Sequence, residues 1–301
     1  MEAKRRMHPM CVTCLIKKQQ EAVKHFLPDA QKQLEYMKMV CKVMTDTVMT
    51  DSPSLILYKM QQKAAEFVEP FDLFKKEKEE FNSYVLPEQE EIYSRILKSE
   101  DALLTALLVS MTGNYIDSGT VANINKDTLY DIMFDFKKLN CDICAYEQIK
   151  HKIEQSNKIV ILHDNCGEVV LDKLLIRYIK SIYPEKDIVS VVRGGNVLND
   201  VTMIEAEQIG LGEYSRVISS GVAIAGTELD WVSDEALNEI KSADFIISKG
   251  QGNFETLCGC GLPIAYLFLC KCPLQCYKFN CKPLTGIMKL EDGQSFFDNI
   301  D

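Results

Sequence analysis

Apolar positions fall into two regimes along the chain. Up to about residue 156, in stretches such as "LIKKQQEAVKHF" and "AQKQLEYMKMVCKVM", they recur at intervals of three and four, the spacing of one face of an α-helix. "DALLTALLVSM" is apolar on every side and predicts a buried helix. Pro28, Pro53, Pro70 and Pro87 divide this half into several pieces. The charge run "FKKEKEEF" reads as a solvated helix face, and no repeat of fixed period occurs. Beyond residue 156 short apolar runs take over: "KIVILHD", "DIVSVVR", "RVISSG", "DFIISKG" and "PIAYLFLC". Each has the character of a strand covered on both faces, and amphipathic segments such as "EVVLDKLLIRYIKSIYP" lie between them. The predicted fold is α/β: a mostly parallel sheet flanked by helices (157–301), preceded by an all-helical region (1–156), with the boundary near Asn157.

Composition narrows the function. A chain of 301 residues, 47% of them hydrophobic, can bury a full core as one large domain or two ordinary ones. Its formal net charge of −10 argues against nucleic-acid binding, which needs clustered Lys and Arg on the phosphate backbone. An anionic small molecule would therefore need local cations or a metal ion. No apolar run approaches the ~18 residues of a membrane span, and the start "MEAKRRMHPMCVTC" has no apolar segment behind its basic patch. The expectation is a cytoplasmic protein without membrane or nucleic-acid partners. The twelve cysteines are then expected to be reduced and mostly buried. Two C-x-x-C pairs, Cys11 with Cys14 and Cys141 with Cys144, stand much farther apart than the about 15 to 20 residues of a zinc ribbon. Six more cysteines, from Cys258 to Cys281, crowd the end of the chain.

Ligands of parallel sheets sit at the carboxyl ends of the strands. Polar clusters occupy four of those places: "HDNCGE", "RGGNVLND", "SGVAIAGTELD" and "SKGQGNFE". A fifth, "TGNYID", ends the apolar helix and is expected to reach the same crevice. The two glycines of "SKGQGNFE" suggest close approach of backbone to a phosphate. Glu255 replaces the third glycine of a dinucleotide fingerprint, and Lys249 precedes the glycines instead of following them as in a P-loop. Asp164, Asn165 and Asp200 form a hard, oxygen-only donor set suited to Mg²⁺ or Mn²⁺. Lys249, Arg193 and the amides of Gly194, Gly195, Gly250 and Gly252 are the candidates for a phosphate cradle. Taken singly, each of these residues also suits a helix cap, a turn or a solvated surface. His163 reads as a support or packing residue and Cys166 as small filling. Glu168 can orient water or cap the helix that it begins. Cys11 and Cys14 are expected to stay outside a catalytic centre built for a hard ion.

"TGNYID", "DNCGE", the "RGG" to "ND" loop and "KGQGNFE" resemble, in order and character, the metal-dependent damage-control phosphatases, also known as domain of unknown function 89. "CVTC" resembles the stand-alone archaeal and bacterial branch of that family. The likeness runs from Cys11 to about Gly286. It implies a helical region joined to a Rossmann-like α/β domain. The implied activity is divalent-metal-dependent hydrolysis (Mg²⁺, Mn²⁺, Co²⁺ or Ni²⁺) of phosphomonoesters of small metabolites, such as sugar phosphates, phosphopantetheine-like compounds or damaged metabolites. By the same resemblance the metal ligands are Asp164, Asn165 and Asp200. Asp164, Lys249 and Glu168 are the catalytic candidates. Asn114, Asp117, Arg193, Gly194, Lys249, Gly250 and Asn253 are the candidates for binding substrate and its phosphate. Cys166 stands where the family's motif more usually has a small alanine. Either an activated water or Asp164 itself would attack phosphorus, water being preferred. The alternatives are a non-catalytic module that binds a phosphorylated metabolite and a methyltransferase, whose glycine-rich loop would replace "DNCGE" after the first strand.

Overall fold

The computed structural model describes residues 7–68, 72, 74–116, 130–131 and 133–292. Three amino-terminal helices, α1 (Pro9–Phe26), α2 (Ala30–Thr45) and α3 (Pro53–Ala64), pack around Val23, Tyr36, Val40, Ile56 and Met60. Their starts are set locally. His8, Asp29 and Ser52 each accept an otherwise unpaired first-turn N–H, from Met10, Lys32 and Leu55. Pro9 and Pro53 occupy the first helical turn, where a missing N–H costs nothing. Then follow α4 (Lys75–Val85), α5 (Gln89–Lys98) and α6 (Ala102–Ile116). The last is the strongly apolar helix, with Ala106, Leu107, Val109 and Met111 fully buried. Two short helices, α7 (Phe136–Leu139) and α8 (Tyr146–Gln155), lead into the sheet.

The sheet has six strands in the order β3-β2-β1-β4-β5-β6. β1 (Lys158–Leu162), β2 (Asp187–Val192), β3 (Arg216–Ser219), β4 (Phe245–Lys249) and β5 (Ile264–Cys270) are parallel, and they match the five apolar runs. The sixth, β6 (Thr285–Glu291), pairs antiparallel with β5 along the edge. Its sequence "TGIMKLE" carries charges that disguise it among the apolar strands. Every residue of β4 and β5 is buried, as a sheet covered on both faces requires. At roughly 1.5–3 kcal/mol for each buried Val, Leu or Ile side chain, these central strands anchor the fold.

One face of the sheet packs on α6 and on α9 (Glu168–Ile182), where Leu107, Met111, Ile161, Leu174 and Leu267 share a single core. The other face covers Val160, Val189, Phe254 and Phe268. Four short helices follow the later strands: α10 (Met203–Gln208), α11 (Asp234–Lys241), α12 (Gln251–Leu257) and α13 (Pro273–Lys278). The helical half thus contributes side chains to the same interior as the strands. The strand order reverses direction between β1 and β4, and a crevice opens beyond their carboxyl ends, as expected at such a switch point.

Candidate active site

Two loops build the floor of this crevice, one after β1 and one after β2, and backbone hydrogen bonds hold them edge to edge. Asn165 bridges Asp200 in an antiparallel pair. The Val201 amide donates to Asp164 O (2.9 Å) and the Cys166 amide to Asn199 O (2.9 Å). Asp164, Asn165 and Asp200, 36 residues apart at their extremes in sequence (200 − 164), are thereby brought side by side. Asn165 Nδ2 donates to Asn114 Oδ1 on α6 (3.1 Å), which turns the carboxamide oxygen the other way. Arg193 lies beneath, only 2% exposed. It donates from Nε to Asp200 Oδ2 (2.6 Å) and reaches Asp164 Oδ1 from its terminal nitrogen (3.5 Å).

Burial pushes the Asp164 carboxyl well above the usual carboxylate range, and the charges of Asp200 and Glu168 push it the same way. Arg193 and Lys271 oppose this but do not cancel it. Such a cluster favours an added cation. Its donor set of two carboxylates and one carboxamide is of the hard, oxygen-only type that divalent Mg²⁺ or Mn²⁺ prefers. The residues present therefore fit a divalent ion.

Above the floor is a cavity of about 440 Å³, lined by Asn114, Asp164, Asn165, Asp200, Gln251 and Lys271, among others. α1 closes one side with Met10, Cys11, Cys14, Leu15 and Lys18. Cys11 and Cys14 therefore reach the cavity wall, together with Cys272 at the start of α13 (Pro273–Lys278).

Lys249 is not at this surface. Along β4 the side chains alternate, so Phe245, Ile247 and Lys249 all point to the face covered by α6 and α9. The ammonium is fully buried and donates to Glu168 Oε1 (2.6 Å), Asp172 Oδ1 (2.8 Å) and Ser110 O (3.0 Å). An ammonium has three N–H donors, so none remains for a phosphate, and the expected phosphate contact is corrected. Asp172 and Glu168 keep Lys249 protonated, its pKa raised although burial alone would lower it. Glu168, the candidate for orienting water, is also fully buried and makes no side-chain cap to its helix. Burial raises its carboxyl to about 7 against the pull of Lys249. Asp172 goes the opposite way: despite burial, Lys249 and His163 hold its carboxyl below the ordinary value. The network continues from Asp172 Oδ2 to His163 Nδ1 (2.9 Å), and from His163 Nε2 to Ser190 Oγ (3.0 Å). His163 is a support residue, as its position beside Asp164 suggested.

Gly252 lines the cavity, but Gly194, Gly250 and Asn253 differ from the cradle reading. The Gly194 amide donates to Val222 O (3.0 Å) and Ser220 Oγ (3.0 Å), and an added Cβ there would sit 2.1 Å from the Val222 nitrogen. Tight packing, not an anion, requires that glycine. Gly250, at φ +80°, lets the chain pass Asp164, whose carboxyl carbon would lie 2.0 Å from an added Cβ. Its amide donates to Leu267 O (3.2 Å). Asn253, on α12 (Gln251–Leu257), is fully buried. It accepts from Thr227 Oγ1 (2.8 Å) and Arg193 (3.2 Å) and donates to Lys249 O (2.7 Å), so it braces three loops. Arg193 likewise orients the two aspartates from below instead of facing the cavity. Cys166 is fully buried filling. Asp117 lies outside the described residues.

Some contributions carried no motif. Lys271 follows β5 directly, lines the cavity, and draws the Asp164 carboxyl down. Lys78, inside the run read as a solvated face, is 1% exposed and bonds Asn196 Oδ1 (3.1 Å) and Glu205 (3.4 Å). Asn82, one turn further along α4, accepts from the Gly167 amide (2.6 Å). α4 therefore clamps both loops of the floor, and only the spacing of Lys78 and Asn82 on one helix face hinted at it.

A profile of the damage-control phosphatase ARMT1-like domain matches residues 7–283. The chain belongs to this family. It is 30% identical over 282 residues to an uncharacterized protein of Methanocaldococcus jannaschii, across 89% of this chain and 90% of that one. A damage-control phosphatase of Pyrococcus horikoshii is also 30% identical over 282 residues, across 87% and 90%. The crystal structure of a DUF89 family protein from P. horikoshii superimposes with a TM-score of 0.82 at 24% identity, covering 94% of this chain and 98% of that one. That likeness establishes the fold. Membership in the damage-control phosphatase ARMT1-like family supports phosphatase as the activity class of this chain. Among the described residues, no helix is long and apolar enough to cross a membrane.

Proposed function

We propose that the protein is a divalent-metal-dependent phosphomonoesterase acting on small phosphorylated metabolites. The observation that carries this reading is the convergence of Asp164, Asn165 and Asp200 on the floor of the 440 Å³ cavity, at the switch point of the sheet. These three would hold the ion. When bound, it would supply Lewis-acid polarisation of a phosphoryl group. Arg193 keeps the two carboxylates in register from below, and Gly250 leaves room for Asp164. Lys271 faces the same cavity and would neutralise charge that grows on the phosphoryl oxygens during transfer. Water is the preferred nucleophile, since Asp164 is engaged by Arg193 and packed against Gly250.

A cavity of this volume is in the range of small-metabolite sites and suits sugar phosphates, phosphopantetheine-like compounds or damaged metabolites. A panel of such phosphomonoesters, together with an aryl phosphate, tests the reading. Phosphate release should stop with chelator and return on adding Mg²⁺, Mn²⁺, Co²⁺ or Ni²⁺. Release that ignores the metal would remove the ion from the mechanism. Binding of the same esters without turnover would favour a module that only binds phosphorylated metabolites.

A further inference from the structure

The cysteine-rich end of the chain forms a second cluster, apart from the carboxylates. Cys270 closes β5 and points to the sheet face opposite α6, among Tyr266, Phe268 and Ile287. Cys276 lies on α13. Cys281 follows that helix after a left-handed turn at Asn280 (φ +48°). The turn closes with two hydrogen bonds, Cys281 N to Cys276 O (2.9 Å) and Asn280 N to Tyr277 O (3.1 Å), the pattern of a Schellman motif. It brings Cys281 back over Cys276. A second left-handed residue, Leu284 (φ +66°), returns the chain to β5, where its amide donates to Cys270 O (2.7 Å).

Backbone geometry thus gathers three thiols from a strand end, a helix and a turn. The sulfurs of Cys270 and Cys276 are 3.5 Å apart, and those of Cys270, Cys276 and Cys281 all lie within 4.8 Å of one another. A disulfide needs a sulfur separation of ~2.05 Å. Tetrahedral zinc with Zn–S bonds of about 2.3 Å places its sulfurs roughly 3.8 Å apart. The observed spacing, 3.5 Å for one pair and within 4.8 Å for all three, is far from the first arrangement and spans the second. Cys270 and Cys276 are buried and Cys281 is half-buried, so the open side for a fourth donor lies toward Cys281.

We propose that Cys270, Cys276 and Cys281 form a thiolate site for a single zinc ion, which fastens the end of β5 to the turn leading into β6. The chemistry is soft where the floor of the crevice is hard, so the two sites select different metals. Binding replaces three S–H protons, released to solvent, with three Zn–S bonds. No oxidant or reductant takes part. The proposal does not depend on the phosphatase reading.

Cobalt(II) is the probe, because thiolate ligands give it a near-ultraviolet charge-transfer band that oxygen ligands cannot produce. The full chain, purified under reducing conditions and stripped of metal, should take up one equivalent of Co²⁺ with that band. Zinc should then abolish it. Asp164→Ala should leave the band in place, whereas Cys276→Ser and Cys281→Ser should each lose it. Cys281 is half-buried and in a turn, so its replacement keeps the test usable should the change at Cys276 disturb folding. In the wild type, bound zinc should protect three of the twelve thiols from a thiol reagent and raise the melting temperature by several degrees. A reduced protein without the band, a band that survives both cysteine variants, or a native Cys270–Cys276 disulfide would each overturn the proposal.

Discussion

The floor of the crevice and the layer directly below it contain nearly the same ingredients and use them oppositely. On the floor, Asp164 and Asp200 share one guanidinium, that of Arg193, and open onto a cavity. Below, Glu168 and Asp172 share one ammonium, that of Lys249, and see no solvent. In the first arrangement negative charge is left over, and Asp164 is pushed up by burial and by its acidic neighbours. In the second, with the same ratio of two carboxylates to one cation, Lys249 stays charged because of both, and burial raises Glu168 to about 7, so a proton can meet the surplus there. The difference is one of access: leftover charge facing a cavity can recruit a metal ion, but leftover charge in a dry interior must be paired internally. The wet layer is suited to chemistry and the dry one holds it in position.

Four experiments sharpen or break this contrast. The largest effect is expected for Asp164→Ala, which should lower turnover on the order of 10³-fold or more, as loss of a principal electrostatic element does. Its melting temperature should change little, because Asp200 still pairs with Arg193. Chelation of the wild type should have a comparable effect on phosphate release, reversible by divalent ions. If both leave activity intact, the floor is not the reaction centre.

Lys249→Met belongs to the other layer and should appear in stability. Removing one partner of a buried ion pair costs about 3–5 kcal/mol, so the denaturant midpoint should fall sharply. Lower turnover at unchanged stability would mean that Lys249 leaves its buried partners and reaches substrate. Smallest is Lys271→Ala, which removes a charge-assisted contact of about 1.5–3 kcal/mol. It should lower kcat/KM roughly 10- to 100-fold without moving the melting temperature. Unchanged kinetics would separate Lys271 from the substrate.

Much of the fold was legible in one dimension. Strongly apolar α6 and the five apolar strands announce their burial by composition alone, and periodicity separates the helical half from the α/β half. β6 was missed because Lys289 and Glu291 interrupt its apolar character on an edge strand. The acidic and amide residues at the end of β1 and in the loop after β2 stood out because polar clusters at parallel-strand ends are where such folds keep their sites. Lys78 was misread for the opposite reason. A lysine in "FKKEKEEF" looks solvated until Asp72, Asn196 and Glu205 are seen around it.

By itself the sequence determined the alternation of strands and helices, the placing of the polar residues Asp164, Asn165 and Asp200 at strand ends and in the loops after them, and, through its motifs, the family. These rest on local period and residue type, which a linear chain carries in full. Only the tertiary structure decided which cations face the cavity. Lys249 and Lys271 each sit at the end of a neighbouring strand, and a lysine is equally able to pair with carboxylates or to meet an anion. Lys249 lies at the register position that points its side chain toward α9, where Glu168 and Asp172 take all three of its hydrogens together with Ser110 O. Lys271, beyond the last residue of β5, is past the pleat and lines the crevice. Strand ends and helix faces meet only in three dimensions, and burial, more than residue type, then determines the role of each charge.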